Sequence, residues 1–266
     1  MKIREIVKGK QPKEFNKMNK LRDKKFNENE LKDLMSHSSY KRKKWSVKTN
    51  KMNSINNRGE KVPAVPIPED KYEQFKYRLE ELSGKYAERN MMLFFLGVAT
   101  GYRTQDIVRL TVGEIKEALE EDRFLIQEQK QYKAWLKHIR ENPGSTRKAP
   151  KKREVPIKSR LRKLLREFIK GKSKSQYAFP SNKGSSHISA KSFSNILAEV
   201  GKSLGIKNIS GHSMRKTYAT RYWIAKRDLE GLRRALGHKS IETTKNYLGL
   251  DEKVFDSAAT IADDKL

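Results

Sequence analysis

Ile209-Ser210-Gly211-His212-Ser213-Met214-Arg215-Lys216-Thr217-Tyr218-Ala219-Thr220 opens a stretch that runs on through Leu236-Gly237-His238-Lys239-Ser240-Ile241-Glu242-Thr243-Thr244 and closes on Tyr247. A second piece, Ala99-Thr100-Gly101-Tyr102-Arg103-Thr104-Gln105-Asp106, lies far upstream. Planar guanidinium forks neutralise and orient the equatorial oxygens of a phosphodiester under attack, which a lysine does less well because it is a point charge. Histidines hold or move protons, and a tyrosine attacks phosphorus when a base and positive potential offset its phenol pKa of ~10. Singly, a His-x-x-Arg pair on a helix is most often structural, and a tyrosine near a chain end is most often packing. Arg103, His212, Arg215, His238 and Tyr247 between them offer the groups that phosphoryl transfer uses, a chemistry that needs no metal, cysteine or hydrolytic water.

The composition agrees with such a substrate. The 266 residues carry 60 Lys/Arg against 32 Asp/Glu, a formal charge of +28, and the pI is near 10.1. That balance calls for a polyanionic partner. No apolar run is long enough to span a bilayer, and no apolar stretch follows Met1-Lys2-Ile3-Arg4-Glu5, so the expectation is a cytoplasmic nucleic-acid binder with no membrane partner. Zero cysteines exclude disulfides, thiolate metal sites and cysteine nucleophiles. No metal-ligand spacing, P-loop or dinucleotide fingerprint occurs, and no cofactor is expected.

Outward from the opening stretch, the chain divides by composition. Residues 1–61 hold nineteen Lys/Arg against seven Asp/Glu, with sparse apolar residues and one short helix expected over Phe26–Met35, capped by Asn27. They read as a basic DNA-contacting region, with Lys41-Arg42-Lys43-Lys44-Trp45 setting an aromatic beside a basic run. Val62-Pro63-Ala64-Val65-Pro66-Ile67-Pro68 cannot be helical and reads as a linker over 62–68. A main domain over 69–250 follows. Its first helix shows Tyr72, Phe75, Leu79 and Leu82 at helical spacing and stops at Gly84. An apolar helix spans Arg89–Thr100, and a third starts near Thr104. Phe124-Leu125-Ile126 and Arg153-Glu154-Val155-Pro156-Ile157 are partner strands joined by a long basic loop. From Lys130 to Lys174 seventeen Lys/Arg face three acids, so the hairpin and the helix after it should face phosphate. Leu161, Leu164, Leu165 and Phe168 form one apolar stripe, and Phe193, Ile196, Leu197 and Val200 another. Further helices begin near Ser213, Asp228 and Ser240. Residues 251–266 form a tail helix with Val254, Ala258 and Ile261 on one face and Phe255 beside it.

The three quoted blocks resemble those of the tyrosine site-specific recombinase (phage integrase) family, over roughly residues 68 to 250. The resemblance implies an α+β fold, mainly helical with a small antiparallel sheet, wrapped on one face of double-stranded DNA. It implies that Arg103 and Arg215 clamp the scissile phosphate, that His212 is a general acid/base, that His238 bonds the phosphate or orients the site, and that Tyr247 is the nucleophile. Asp106 corresponds to an acid that braces the site. A hairpin lysine protonates the leaving 5′ oxygen in this family. Lys130, just past the Phe124–Gln129 strand, is the choice here, with Lys148, Lys151 and Lys152 as alternatives along the loop. His37, His138 and His187 fit no block, and Arg233 and Arg234 are expected to be phosphate-facing or solvated. The activity implied is cutting and rejoining of DNA strands through a 3′-phosphotyrosine intermediate. A homo-tetramer on paired sites is implied as well, with the tail docking on a neighbouring subunit. The family's usual N-terminal helical domain has at most a short, polar counterpart in residues 1–61. Two other readings stand beside this one: a type IB topoisomerase-like relaxing enzyme, and a non-catalytic DNA-binding protein that kept the fold.

Overall fold

The structure, a computed structural model, describes residues 62–263, with the side chains of 251–256 and 258 outside that description. The expectations for residues 1–61 therefore fall outside the described residues, as do those for Val254, Phe255 and Ala258. Thirteen elements matter to the site. They are α1 (Tyr72–Ser83), α2 (Ala87–Thr100), α3 (Thr104–Ile107), α4 (Val112–Glu120), β1 (Arg123–Ile126), α5 (Gln129–Glu141), β2 (Arg153–Pro156), α6 (Ser159–Ile169), α7 (Ala190–Ser203), α8 (Gly211–Lys226), α9 (Leu229–Leu236), α10 (Ile241–Leu248) and α11 (Leu250–Asp263). Among the described residues this is the expected mainly helical α+β arrangement with a two-stranded antiparallel sheet.

α2 is the central rod. Met91, Met92, Leu93, Phe94, Leu96 and Val98 are all buried, each contributing roughly 1.5–3 kcal/mol by leaving water. It is walled in by α1, α6 and α8, with α7 against α1 and α8. Phe75 of α1 stacks on Phe94 with ring centroids 5.5 Å apart. Leu82, expected on the same stripe, is 49% exposed. It stands on the last turn before Gly84, whose φ of 51° ends the helix, so the stripe stops at Leu79. The apolar stripe of α6 is buried throughout, and Phe193, Leu197 and Val200 bury the inner face of α7.

The helix expected from Thr104 is split. α3 has four residues, and the chain restarts helix at Thr111, where a capping box with Glu114 satisfies the first donors of α4. The proline-rich segment 62–68 is non-helical, as its prolines require, and its end is docked. Val65 donates its backbone N–H to Asn208 O, the Ile67 N–H bonds to Thr217 Oγ1 at 2.9 Å, and the Ile67 side chain is buried.

The sheet pairs Phe124 with Val155 and Ile126 with Arg153. The connection between its strands is not the loop expected from its basic, turn-containing sequence, because its first half is the thirteen-residue helix α5. The helix is started from outside itself: Asp106 Oδ1 accepts the Gln129 N–H at 2.9 Å, a carboxylate at a helix N-terminus. Tyr132 and Trp135 then pack 5.5 Å apart on one side, and the Trp135 indole donates to Arg147 O. The strand ends at Ile126, so Lys130 sits in the first turn of a helix rather than at the end of a strand.

Candidate active site

Arg103 is placed by a turn. α2 ends at Gly101 with φ 62°, a left-handed conformation costly to any side chain. A Cβ there would also lie 2.5 Å from Tyr218 Cδ1. Tyr102 is then fully buried, its hydroxyl donating to Arg153 O at 2.5 Å, which leaves Arg103 at the N-cap of α3. His212 and Arg215 come from the first turns of α8. Ser210 caps that helix through the His212 N–H, and Ser213 Oγ returns a bond to the Ser210 N–H. Thr104 Oγ1 donates to Gly211 O at 2.8 Å and so ties the Arg103 turn to the start of α8.

Arg215 is 2% exposed. Its Nη1 donates to Gly101 O at 2.6 Å and to Glu128 Oε1 at 3.2 Å, and its Nη2 donates to Leu236 O at 2.5 Å. Burial pushes its pKa down to about 10, with the Arg103 and Arg153 charges adding to the fall and Glu128 opposing it. It stays cationic at neutral pH. Arg103 Nη1 lies 2.5 Å from Glu128 Oε2, and Arg153 Nε lies 3.3 Å from Glu128 Oε1. These last two are ion-pair contacts outside hydrogen-bond alignment.

His238 follows Gly237, the left-handed cap of α9 with φ 64°. Its Nδ1 is 3.1 Å from the buried Thr244 Oγ1 on α10. Burial, then Arg215 and Arg103, lower its pKa to about 4, so the ring is neutral at pH 7. Tyr247, on the last turn of α10, meets the His238 ring edge-on at 5.3 Å and 75°. It packs on the cluster of Ala219, Leu232 and Leu236, and Lys216 Nζ stands 5.3 Å from its ring centroid. The hydroxyl is buried without a partner at bonding geometry. Burial raises its pKa to about 12, against the pull of Arg215 and Arg103. His212 titrates below its ordinary value because the surrounding protein desolvates the ring, and Arg103, Arg215, Lys130 and Lys216 add to the effect. One side of His212 nevertheless remains open to solvent.

The six residues singled out in the sequence thus share one electrostatic neighbourhood, Lys130 included through its action on His212. Asp106 braces the region by starting α5, and burial raises its pKa. Arg233, partly exposed, donates to His238 O at 2.9 Å and pairs with Glu230, closing the α9 turn that presents His238, while Arg234 is largely exposed. Two site residues were missed, Glu128 and the side chain of Arg153. Among the described residues no group of histidines and acids is placed to hold a metal ion, and no helix is long and apolar enough to cross a membrane.

Residues 67–253 match the model of the phage integrase family. The chain belongs to that family. It is 27% identical over 165 residues to a probable integrase/recombinase, YoeC, of Bacillus subtilis (strain 168), covering 62% of this chain and 80% of that protein. It is 31% identical over 118 residues to the tyrosine recombinase XerC of Pelobacter propionicus, covering 42% of this chain and 39% of that protein. The fold matches the crystal structure of the XerH site-specific recombinase in its post-cleavage complex with a palindromic difH substrate. There the TM-score is 0.51 at 22% identity, over 82% of this chain and 59% of that one. The chain therefore spans most of YoeC but less than two thirds of the other two.

Proposed function

We propose that this protein is a site-specific DNA recombinase that cuts and rejoins DNA strands through a covalent 3′-phosphotyrosine on Tyr247. The observation that carries the reading is the Tyr247 hydroxyl, buried with no bond at full hydrogen-bond geometry, against the Arg215 guanidinium and beside Arg103 and a neutral histidine. A tyrosine kept only for packing gains nothing from holding its hydroxyl there, since a buried polar group left unpaired costs free energy. A scissile phosphate would fill the gap. Arg103 and Arg215 take its non-bridging oxygens, and His238 bonds to the phosphate. His212, neutral at pH 7, accepts the phenolic proton as the Tyr247 oxygen bonds to phosphorus. The bond from phosphorus to the 5′ oxygen breaks, and Lys130 protonates that oxygen. The reverse attack by a 5′ hydroxyl on the phosphotyrosine rejoins a strand, so no cofactor or external energy source enters.

The basic segment from Lys130 to Lys174 faces the phosphate backbone of double-stranded DNA, whose binding is then salt-dependent. Work on paired sites would be done by a homo-tetramer in the cytoplasm, with the tail helix joining subunits. Ile261 of that helix is 65% exposed and available for such a contact. The test uses a nicked suicide duplex carrying the site that the protein itself selects from a random pool. The full chain forms a covalent adduct, and Tyr247→Phe forms none while binding within a few fold. An undiminished adduct in Tyr247→Phe refutes the assignment.

A further inference from the structure

Glu128 is 2% exposed and sits among three buried or nearly buried guanidiniums. A carboxylate there would be too costly to bury without such company. The distribution of its contacts is what matters. Oε2 faces Arg103, whereas Oε1 faces Arg215 and also Arg153, so the two clamp arginines meet different oxygens. A phosphodiester also presents two oxygens on one centre. The carboxylate thus sets the two arginines apart by the same kind of two-oxygen spacing that the substrate demands.

We infer that Glu128 is the positioning residue of the arginine clamp. It holds Arg103 and Arg215 at the separation and tilt in which their remaining donors meet the scissile phosphate, and it fixes Lys130 two residues onward. This rests on the function proposed above.

The alternative is that Glu128 occupies the place of the phosphate and must leave when DNA binds. Its own anchoring argues against that. Gln131 Nε2 donates to Oε2 at 3.0 Å, and Arg153 closes on Oε1 from the other side. Arg153 is itself locked, with Nη1 donating to Ala235 O at 2.6 Å and both Nη atoms donating to Thr100 O at 3.2 Å. The backbone next to Glu128 is bolted down by the Gln129 N–H bond to Asp106, and Gln131 Nε2 also donates to Gly237 O at 3.1 Å. A side chain held on both oxygens and at its backbone is a fixture. The junction reaches the turns bearing Arg103 (Thr100 O) and His238 (Gly237 O), as well as Lys130, so one carboxylate registers groups from three separate chain segments.

The experiment is a double-mutant cycle on single-turnover cleavage, with DNA affinity measured in parallel. Glu128→Gln keeps the shape and removes the charge. At saturating DNA it lowers the cleavage constant by at least ~30-fold, with the Kd changed less than about threefold, because orientation and not binding is lost. In an Arg103→Ala background the same change costs clearly less than in the wild type, since the part of its action that runs through Arg103 is gone while the part through Arg215 remains. Equal losses in the two backgrounds would overturn the inference, as would faster cleavage by Glu128→Gln, the signature of a carboxylate competing with the phosphate. If Glu128→Gln does not fold, Glu128→Asp is read through the same cycle with the same criteria. A readout without cleavage separates this inference from the function it rests on. In DNA-free protein the guanidinium N–H resonances of Arg103 and Arg215 are slowly exchanging in the wild type and collapse in the Glu128 variant. Absence of any adduct with that collapse present sinks the function and keeps the positioning, whereas unchanged resonances sink the positioning.

Discussion

Truncating the two clamp arginines separates their chemistry from their structural duties. Arg215→Ala removes a side chain that satisfies Gly101 O, Leu236 O and one oxygen of Glu128. Gly101, Leu236 and Glu128 are all buried. The loss expected for breaking a buried charged network by removing one partner is about 3–5 kcal/mol. At roughly 2–4 °C per kcal/mol for a domain of this size, the Tm falls by about 6–20 °C. Arg103→Ala removes one ion pair, and Glu128 keeps Arg153, Arg215 and Gln131. Its removal also relieves a repulsion, since the Arg103 charge lowers the pKa of Arg215. The net cost is about 1 kcal/mol or less, a Tm change under ~4 °C. Cleavage does not follow this asymmetry. Each variant loses a transition-state donor worth ~3–4 kcal/mol, so both fall at least ~100-fold. Arg215→Lys recovers part of the stability by bonding one carbonyl but recovers little cleavage, because a point charge does not replace a fork. Thermal melts at pH 7 and single-turnover cleavage at saturating DNA measure the two quantities on the same preparations. Equal Tm losses for Arg103→Ala and Arg215→Ala, or a larger one for Arg103→Ala, would show that the buried network is wrongly apportioned.

Three further outcomes follow from the same geometry. Tyr247→Phe should melt within ~1 kcal/mol of wild type, because the hydroxyl it deletes makes no bond at full geometry and only a weak contact with Arg215, and a larger loss would mean that hydroxyl is well bonded in the fold. Lys130→Ala should cleave a 5′-bridging phosphorothioate, whose leaving group needs no proton, far better than an ordinary phosphodiester; rescue of Lys148→Ala, Lys151→Ala or Lys152→Ala instead would move the role along the connection. His238 has its pKa lowered to about 4, so the folded state binds its proton less readily than the unfolded chain. Its stabilising effect is complete above pH ~6.5 and is lost as pH falls towards 4, by roughly 1.5–3 kcal/mol after discounting for partial exposure. Urea unfolding at pH 7 and pH 4.5 should show a smaller acid loss in His238→Gln, and an identical loss in the two proteins would refute the assignment.

Much of this was legible before any coordinates. The helical faces of α1, α2, α6 and α7 follow from apolar residues three and four apart, and the stops at Gly84 and Gly101 from residues that alone accept positive φ cheaply. The three blocks carrying Arg103, His212, Arg215, His238 and Tyr247 were readable as a constellation because each residue type suits one step of phosphoryl transfer. The helix α5 was not readable in the same way. None of its residues is buried, so no core face disciplines its pattern, and its first N–H is satisfied by Asp106, distant in sequence. A helix start supplied by a remote acid leaves no local capping signature. The structural role of Arg233 was hidden for a similar reason, since its acceptor, His238 O, is created by the turn at Gly237.

Glu128 is the instructive omission, because a signal for it was present. Side chains along a strand alternate between faces. Phe124 is buried in β1, and carrying its parity forward places Glu128 inward as well; Val155 and Ile157 do the same for Arg153 on the partner strand. A lone acid two residues past the end of β1 and a lone arginine opening β2, with Ile126 and Arg153 directly opposite, cannot both be buried unless each meets an opposite charge. That pairing is derivable from strand parity alone. What parity cannot supply is the other side of the carboxylate, where Arg103 and Arg215 arrive from α3 and α8. Their arrival also explains how a helix can stand between β1 and β2 without disturbing the site. Glu128 caps that helix, Lys130 lies in its first turn, and Arg153 follows it. The bonds from Gln129 to Asp106, Gln131 to Gly237 and Arg153 to Thr100 close the frame at both ends. The length and composition of the connection are then free to vary outside that frame, while the carboxylate and the lysine keep their places beside the arginines.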